Sequence, residues 1–353
     1  MKTVHNCDLT QFNSYRISSR CRIAYFPESA NDVADIFAQH PSGAPPVIIG
    51  SGHNIILARA YYETPFIIFH GNLNQIQISG ETMTIGAGAF TQAVCEKALA
   101  HALSGFEMFY DIPSSIGGAV VMNAGAKDED IAGILETVTY LDLPVPHLSP
   151  ASPSPFYPLH GDPLSGRRIP SSPPETPASP PKSPTAASRI PHPLPISAFQ
   201  DFSCQHFSSP APLTIPNHAA NFRYRNSIFP EDPTKIVLSA TFKLRKEDPE
   251  RIRAKMYEIK AERWAKQPRE YPNAGSVFKR PTGRYVGPML DELGLKGHTH
   301  GGFRVSPKHS GFIEKIGPGT GSDLLALIAD IQNRVRDRFD VELEVEQRII
   351  TAS

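Results

Sequence analysis

The chain has 353 residues, enough for two or three domains and a sizeable core. Lysine plus arginine and aspartate plus glutamate each number 35, so the net charge is zero and the basic excess typical of nucleic-acid binders is missing. No stretch approaches the ~20 apolar residues of a membrane span, and the opening MKTVHNCDLTQF lacks the apolar core of a secretory signal, so a cytoplasmic protein with no membrane partner is expected.

Taken in order, Ala30 to Gln39 reads as a short helix and Pro45 to Leu57 as strand, glycine-rich turn, strand. Phe66 to Phe69 reads as a buried strand. Gln75 to Ile85 alternates in period two around Gly80-Glu81, which predicts a hairpin with glycine at the first turn position. Thr91 to Leu103 has helical spacing with Thr91 as its cap. Further on, Lys235 to Leu244 is a strand and Pro249 to Ala265 a charged helix burying Ile252, Met256 and Ile259. The helix from Ser322 to Phe339 carries an apolar stripe, with Ser322 and Asp323 placed for cap and dipole. The pattern is α+β.

Between these halves lies a compositional break. Of the 35 prolines, 20 fall between Pro144 and Pro216, so the excess is local. A Ser/Thr/Pro-rich segment over 143–216 lacks the apolar periodicity that would offset its backbone entropy, and it reads as a disordered insertion with polyproline II character. Composition alone also admits a docking arm for a proline-recognising partner, or an out-of-frame stretch in the gene. Four cysteines, Cys7, Cys21, Cys95 and Cys204, contain no Cys-x-x-Cys pair and read as free thiols. His298-Thr-His300 has no carboxylate at helical spacing, so no metal is expected.

Five motifs can carry chemistry. Gly50-Ser51-Gly52-His53-Asn54 follows an apolar run and can turn its amides toward a phosphate, although the same residues also suit a tight strand-to-strand turn. It lacks the spacing and following helix of a Rossmann site and the lysine of a P-loop. Ile112 to Gly125, with Pro113, Ser114, Ser115, Gly117, Gly118 and Gly125, has the small residues that let a planar ring or pyrophosphate approach the backbone. A glycine-rich packing loop is its bland alternative. Phe222 to Phe229 presents Tyr224 and Arg225, and an arginine can stabilise negative charge developing on a reacting carbonyl or enol. Pro272 to Pro281 presents Ser276 and Lys279 without the Gly-x-Ser-x-Gly elbow of a nucleophile. Glu342 to Ile350 alternates so that Glu342, Glu344 and Glu346 share one face of a predicted strand. Singly, the arginine, the serine and the glutamates are each more often solvated or structural.

In this order, the motifs resemble the UDP-N-acetylenolpyruvoylglucosamine reductase family. Asn13-Ser14-Tyr15 approximates its opening Asn-Thr-aromatic signature, and Gly50 to Asn54 its Gly-x-Gly-Ser-Asn flavin loop with His53 for serine. Gly105-Phe106-Glu107, Ile112 to Ala119 and Met122 to Gly125 follow, with Ser114-Ser115 in place of Gly-Thr. Tyr224 to Phe229 is its Tyr-Arg-x-Ser-x-Phe, Ala274 to Pro281 its serine motif with Arg280 for asparagine, and Leu343 to Arg348 its terminal motif with Gln347 for valine. The lack of an extra tyrosine-bearing loop resembles the shorter, second type.

The resemblance implies an FAD-binding domain of the vanillyl-alcohol-oxidase type over 1–142 and 217–245, and a smaller α+β substrate domain over 246–353. It implies FAD on Gly50 to Asn54, Pro113 to Ser115, Gly117, Gly118 and Gly125, with NADPH as hydride-donating cosubstrate and a UDP-sugar as substrate. Arg225, Ser276 and Glu346 become the catalytic three, with Ser276 the proton donor and a protonated Glu346 assisting Arg225. Tyr224, Lys279 and His309 are expected to hold substrate. The departures leave open an inactive or repurposed homologue, or another FAD-dependent oxidoreductase of this fold.

Overall fold

The computed structural model describes residues 1–40, 45–126, 129–143 and 210–352. A mixed five-stranded sheet opens the fold. Lys2–Asp8 pairs antiparallel with Arg20–Phe26, which runs parallel to Phe66–Ile68 and to Tyr61–Tyr62, and Val47–Ile49 closes the far edge beside Phe66–Ile68. Of the inner strands, Phe66–Ile68 is wholly apolar, as a strand buried on both faces must be, whereas Arg20–Phe26 starts with Arg20 and Arg22 exposed. One face packs Leu9, Phe12, Leu57 and Phe66 together. On the other, Val33, Ala34 and Ile36 of the helix Ala30–Gln39 meet Ile23, Tyr25 and Ile67.

A second sheet, fully antiparallel, has the order Leu213–Pro216, Leu135–Asp142, Lys235–Lys243, Thr82–Gly86, Ile76–Ser79. The expected hairpin is present, with Gly80 at φ 60° in its turn. Leu141, Ile236 and Leu238 reach back into the core under Ala30–Gln39, which joins the two sheets. The other face is covered by Thr91–Ala100, by Ile116–Val121, and by Ile252 and Met256 of Pro249–Lys266.

The proline-rich segment is narrower than its composition suggests. Leu143 is buried, and Leu213–Pro216 is a strand whose Leu213 faces Tyr140 and whose Pro216 faces Thr137. It forms the sheet edge, where proline and its missing N–H are tolerated. The remainder of that segment, 144–209 with Cys204, lies outside the described residues.

The C-terminal part packs Val286–Glu292 and Gly321–Phe339 over a three-stranded sheet of Thr299–His300, Phe303–Val305 and Ile313–Lys315. Of the stripe Leu324, Leu325, Ile328, Ile331, Val335 and Phe339, Leu325 and Phe339 are only partly buried and the others are buried, and Leu327, outside it, is buried too. Its cap is Thr320 rather than Ser322: the Thr320 hydroxyl accepts from the Asp323 amide (3.2 Å), and the Asp323 carboxylate accepts from the Thr320 amide (2.8 Å). Thr91 is likewise no cap, because Phe90 occupies that position and the Thr91 hydroxyl donates to the Ile112 carbonyl (2.5 Å).

All described residues fall in one compact unit. The hydrophobic cores ignore a boundary at residue 246: Tyr15, Ile17 and Ile56 belong to the C-terminal core, while Ile252 and Met256 belong to that of the second sheet. Long helices and N-terminal loops cross over because each has one apolar face to bury, wherever the chain has made a complementary surface.

Candidate active site

The turn Gly50 to Asn54 is not a hairpin. Val47–Ile49 before it belongs to the first sheet, whereas Ile55–Leu57 after it runs parallel to Arg348–Ile350 near the C-terminus. The turn therefore leaves one sheet and enters another. Its backbone is tied to both sides: the Ser14 amide donates to the Gly52 carbonyl (3.0 Å), and the Arg348 amide to the Asn54 carbonyl (3.0 Å). Gly52 sits at φ 75°, and a Cβ there would strike the Phe12 carbonyl oxygen. No side chain fits at that point.

The second glycine segment packs against the first. A Cβ on Gly50 would collide with the Ser115 hydroxyl, and one on Gly117 would come 2.9 Å from the Ala87 side chain. Ser115, fully buried, accepts from the Gly118 amide (3.3 Å), and the Gly117 amide donates to the Ala87 carbonyl (2.8 Å). Gly125 closes against Glu129 and Asp130 of a short ladder. Ser114-Ser115, where the resembled family has Gly-Thr, is accommodated without strain, since neither serine has a positive φ.

Arg225 enters from across the sheet. It adopts the left-handed conformation (φ 54°) within a turn closed by Arg223 and Asn226, and the Ser227 hydroxyl pins that turn to the Val121 carbonyl (2.7 Å). Its guanidinium donates to the carbonyls of Gly125 (2.7 Å) and Asn123 (3.3 Å) and, through Nε, to Glu346 Oε1 (3.0 Å). A left-handed arginine costs roughly 1–2 kcal/mol, which these three bonds offset.

Glu346 does not lie on a strand. Residues 342–347 are irregular apart from an isolated bridge at Val345, the strand is Arg348–Ile350, and Glu342 and Glu344 are solvent-exposed while Glu346 turns inward. The cause is Gln347, which is buried, accepts from the Tyr15 hydroxyl (3.0 Å) and donates to the Ala274 carbonyl (3.1 Å). Glu346 donates its amide to the Val277 carbonyl (2.8 Å) and lends its carbonyl to the Asn54 side chain (3.3 Å). Burial pushes its carboxyl above the usual carboxylate range, against the pull of Arg225 and Lys279. Ser276, beside Val277, stays exposed, and Gly275 before it has φ 81° with open space where a Cβ would point.

These pieces surround one cleft of about 770 Å³. It is lined by Gly50 to Asn54, Pro113 to Ser115, Gly117, Gly118, Gly125, Arg225, Ser276 and Glu346, so every residue expected to bind the cofactor or to catalyse meets there. The three expected substrate residues do not line it. Lys279 is held by Glu344 (2.5 Å). His309 meets the Phe312 ring edge-on at 4.9 Å, and its Nδ1 accepts from the Gly311 amide. Tyr224 stands exposed with the Arg225 guanidinium 5.2 Å from its ring.

The sequence reading missed a cationic rim. Arg16, Lys235, Arg263, Arg269 and Arg348 join Arg225 in lining the cleft, against Glu270 and Glu346 alone among the carboxylates of the described residues. A chain of zero net charge thus lines this cleft with more cations than carboxylates, Lys235 being paired with Asp142 (3.3 Å) and Asp232 (2.5 Å). Asp111, also left-handed (φ 67°), fastens part of this rim: it accepts from Trp264 Nε1 (3.1 Å) and Arg269, with Arg263 Nε at 3.6 Å. Arg348 is deeply buried, which lowers its pKa to about 10. Its only sequence signal was its place at the end of the terminal motif. Arg263 to Asn273 gave a signal in standing directly before the serine loop.

The cleft fits FAD on two observations. Its volume lies within the ~300–1,000 Å³ of cofactor sites, and its floor is built from glycine turns in backbone-to-backbone contact, leaving room for a large planar group and its phosphates. His53 Nδ1 in addition is buried without a hydrogen-bond partner among the described residues, so a polar ligand group has a waiting partner there.

Two α+β layers meeting at such a cleft define an FAD-binding protein of the vanillyl-alcohol-oxidase type, and residues 22–143 match a family described as FAD binding domain. Residues 267–350 match the C-terminal domain of UDP-N-acetylenolpyruvoylglucosamine reductase. The reductase of Latilactobacillus sakei strain 23K is 32% identical over 98% of this chain and 92% of its own length, and that of Francisella tularensis is 30% identical over 97% and 98%. The chain belongs to the UDP-N-acetylenolpyruvoylglucosamine reductase family. The Thermus caldophilus enzyme shares its fold, with a TM-score of 0.68 at 22% identity over 99% of this chain and 98% of that one.

Proposed function

We propose that this chain reduces the enolpyruvyl ether of UDP-N-acetylglucosamine enolpyruvate to UDP-N-acetylmuramate for peptidoglycan synthesis. The observation that carries the reading is the convergence of Arg225, Ser276 and Glu346, three residues far apart in sequence, on the cleft floored by both glycine segments. When bound, FAD supplies hydride chemistry, with NADPH as the donor and the substrate methylene carbon as the acceptor.

The remaining work falls to the chain. Arg225, pre-oriented by two carbonyls and Glu346, holds positive charge where the substrate's enolate develops, with no reorganisation needed at that moment. Glu346, pushed by burial toward its protonated form, shares that negative charge through a hydrogen bond. Ser276 gives the enolate carbon its proton. A serine is a weak acid in water but is matched to so strong a base, and its exposure lets the proton be replaced from solvent. The cationic rim neutralises the phosphates of cofactor and substrate.

The cofactor half comprises 1–143 and 213–245, its sheet edge included, and the substrate half 246–353, sharing cores at their border. Tyr224, Lys279 and His309 come to the substrate only if the cleft closes on it. No helix among the described residues is long and apolar enough to cross a membrane. The test is anaerobic: protein with FAD is reduced by NADPH, then given the enolpyruvyl nucleotide. Flavin reoxidation lost in Ser276→Ala is expected. A flavin that stays reduced until oxygen enters would sink the proposal.

A further inference from the structure

Three of the four cysteines lie among the described residues, and two of them face each other. Cys7 and Cys21 are direct partners across the antiparallel pair Lys2–Asp8 and Arg20–Phe26. Both side chains point to the same core, among Leu57, Phe66 and Ile350, and both are free thiols. Directly opposed residues of an antiparallel pair stand roughly 4.5–5.5 Å apart at Cα, inside the ~4.4–6.8 Å that a disulfide spans. Cys95, by contrast, is buried in the core of the second sheet, where its sulfur donates to the Phe106 carbonyl (3.2 Å).

The segment between the two cysteines backs the cofactor turn. Asn13 knots it, donating to the carbonyls of Leu9 (2.9 Å) and Ile17 (3.0 Å) and accepting from the Ile17 amide (2.9 Å). From this knot the Ser14 amide holds the Gly52 carbonyl, and Ser14 and Arg16 line the cleft. A bond from Cys7 to Cys21 would close the knot covalently at its base.

We propose that Cys7 and Cys21 are a modification site: a dithiol that hydroperoxides oxidise to an intrachain disulfide, locking the Asp8–Arg20 segment behind the cofactor turn. One sulfur takes an oxygen from hydrogen peroxide as the O–O bond breaks, giving a sulfenic acid and one water. The second sulfur attacks the first and displaces the hydroxyl as a second water. Two thiols lose two electrons and two protons, and the peroxide is reduced to water. Cys7 is the first to react, being at 5% exposure where Cys21 has none.

Burial keeps both thiols protonated, with Cys21 pushed up to about 12, so the closed form reacts slowly. Lys2–Asp8 is however an edge strand, paired on one side only. Fraying of that strand exposes both sulfurs together, and re-pairing brings them back into register.

The test uses the full chain with hydrogen peroxide, followed by alkylation and non-reducing peptide mapping. The expected product is one Cys7–Cys21 linkage, with Cys95 unmodified. Its melting temperature should rise by about 2–4 °C, reversed by dithiothreitol. Cys7→Ser and Cys21→Ser should each abolish the linkage, and circular dichroism shows whether each variant is folded. The wild-type map decides the matter even if a variant is not. Sulfinic acid on either cysteine without a linkage, or a linkage to Cys95 or Cys204 instead, overturns the site. A Cys7–Cys21 bond that lowers the melting temperature overturns the locking role.

Discussion

The two walls of the cleft are built by opposite means. The wall of glycine segments is steric: a methyl group at Gly52 would strike the Phe12 backbone, and one at Gly50 the buried Ser115 hydroxyl. The reacting wall is side chain against side chain. Arg225 and Glu346 come from segments 121 residues apart and meet through one 3.0 Å ion pair, beside a serine on a third segment. Steric walls tolerate few substitutions anywhere along them. Charged walls concentrate their function in a few atoms and leave the residues between them free to vary.

The largest expected effect tests the reacting wall. Ser276→Ala should lower the rate of flavin reoxidation by substrate roughly 10²–10⁴-fold, as loss of a general acid does, with flavin reduction by NADPH unchanged in stopped-flow. Arg225→Lys should follow at roughly 10²-fold or more, because a lysine cannot reproduce the three-pronged anchoring on Asn123, Gly125 and Glu346. Equal damage to both half-reactions would mean that these residues support the cofactor, and the contrast between walls would fail.

The next effect tests the steric wall. Gly52→Ala should cost about 2 kcal/mol or more and release FAD, since it combines a left-handed backbone with a collision against Phe12, whereas Gly275→Ala at nearly the same φ faces open space and should cost only about 1 kcal/mol. Thermal melts of the two variants, with and without FAD, make the comparison. Similar losses in both would show that backbone conformation alone matters.

Two smaller effects concern protons. Glu346 is raised in the folded protein, so its contribution is most favourable below its unfolded pKa and is lost as pH rises through the folded value. Glu346→Gln, neutral throughout, should therefore melt higher than the wild type at pH 8 and equally at pH 3, while turning over more slowly. The smallest effect is at the family departure. His53, lowered to about 4 by burial, is neutral at physiological pH and leaves Nδ1 for the cofactor. His53→Ala should weaken FAD about 5-fold by fluorescence titration, the worth of roughly 1 kcal/mol of hydrogen bonding. The wild-type affinity should be flat from pH 6 to pH 8, and a histidine-like inflection near pH 6.5 would show that the imidazole is not held neutral.

Much of the molecule was legible in the sequence, and the particular elements show why. Gly80 announced its hairpin, the stripe from Leu324 to Val335 its helix, and the glycine segments their close approach, because each depends on neighbours within a few residues. The three residues proposed to catalyse were legible only through resemblance: nothing local distinguishes Arg225 or Glu346 from a surface charge. One assignment failed where tertiary contacts overrode local pattern. Glu346 was placed on a strand with two solvated glutamates, but the buried Gln347 bonds to Tyr15 and Ala274 and turns its neighbour into the cleft. The pairing of Lys279 with Glu344 on the facing segment was likewise not legible, because no local spacing shows it. The arginine rim was invisible because zero net charge is a sum and says nothing of position.

The sequence by itself therefore determined the elements, the family and the residue types that chemistry needs, since those rest on local spacing and composition. Only the tertiary structure decided that Gly50 to Asn54 links two sheets, that the proline-rich segment's far end is an edge strand, and that Cys7 faces Cys21. Those facts are pairings between distant segments, and pairing is settled by which buried surfaces and backbone hydrogen bonds the whole chain can satisfy at once.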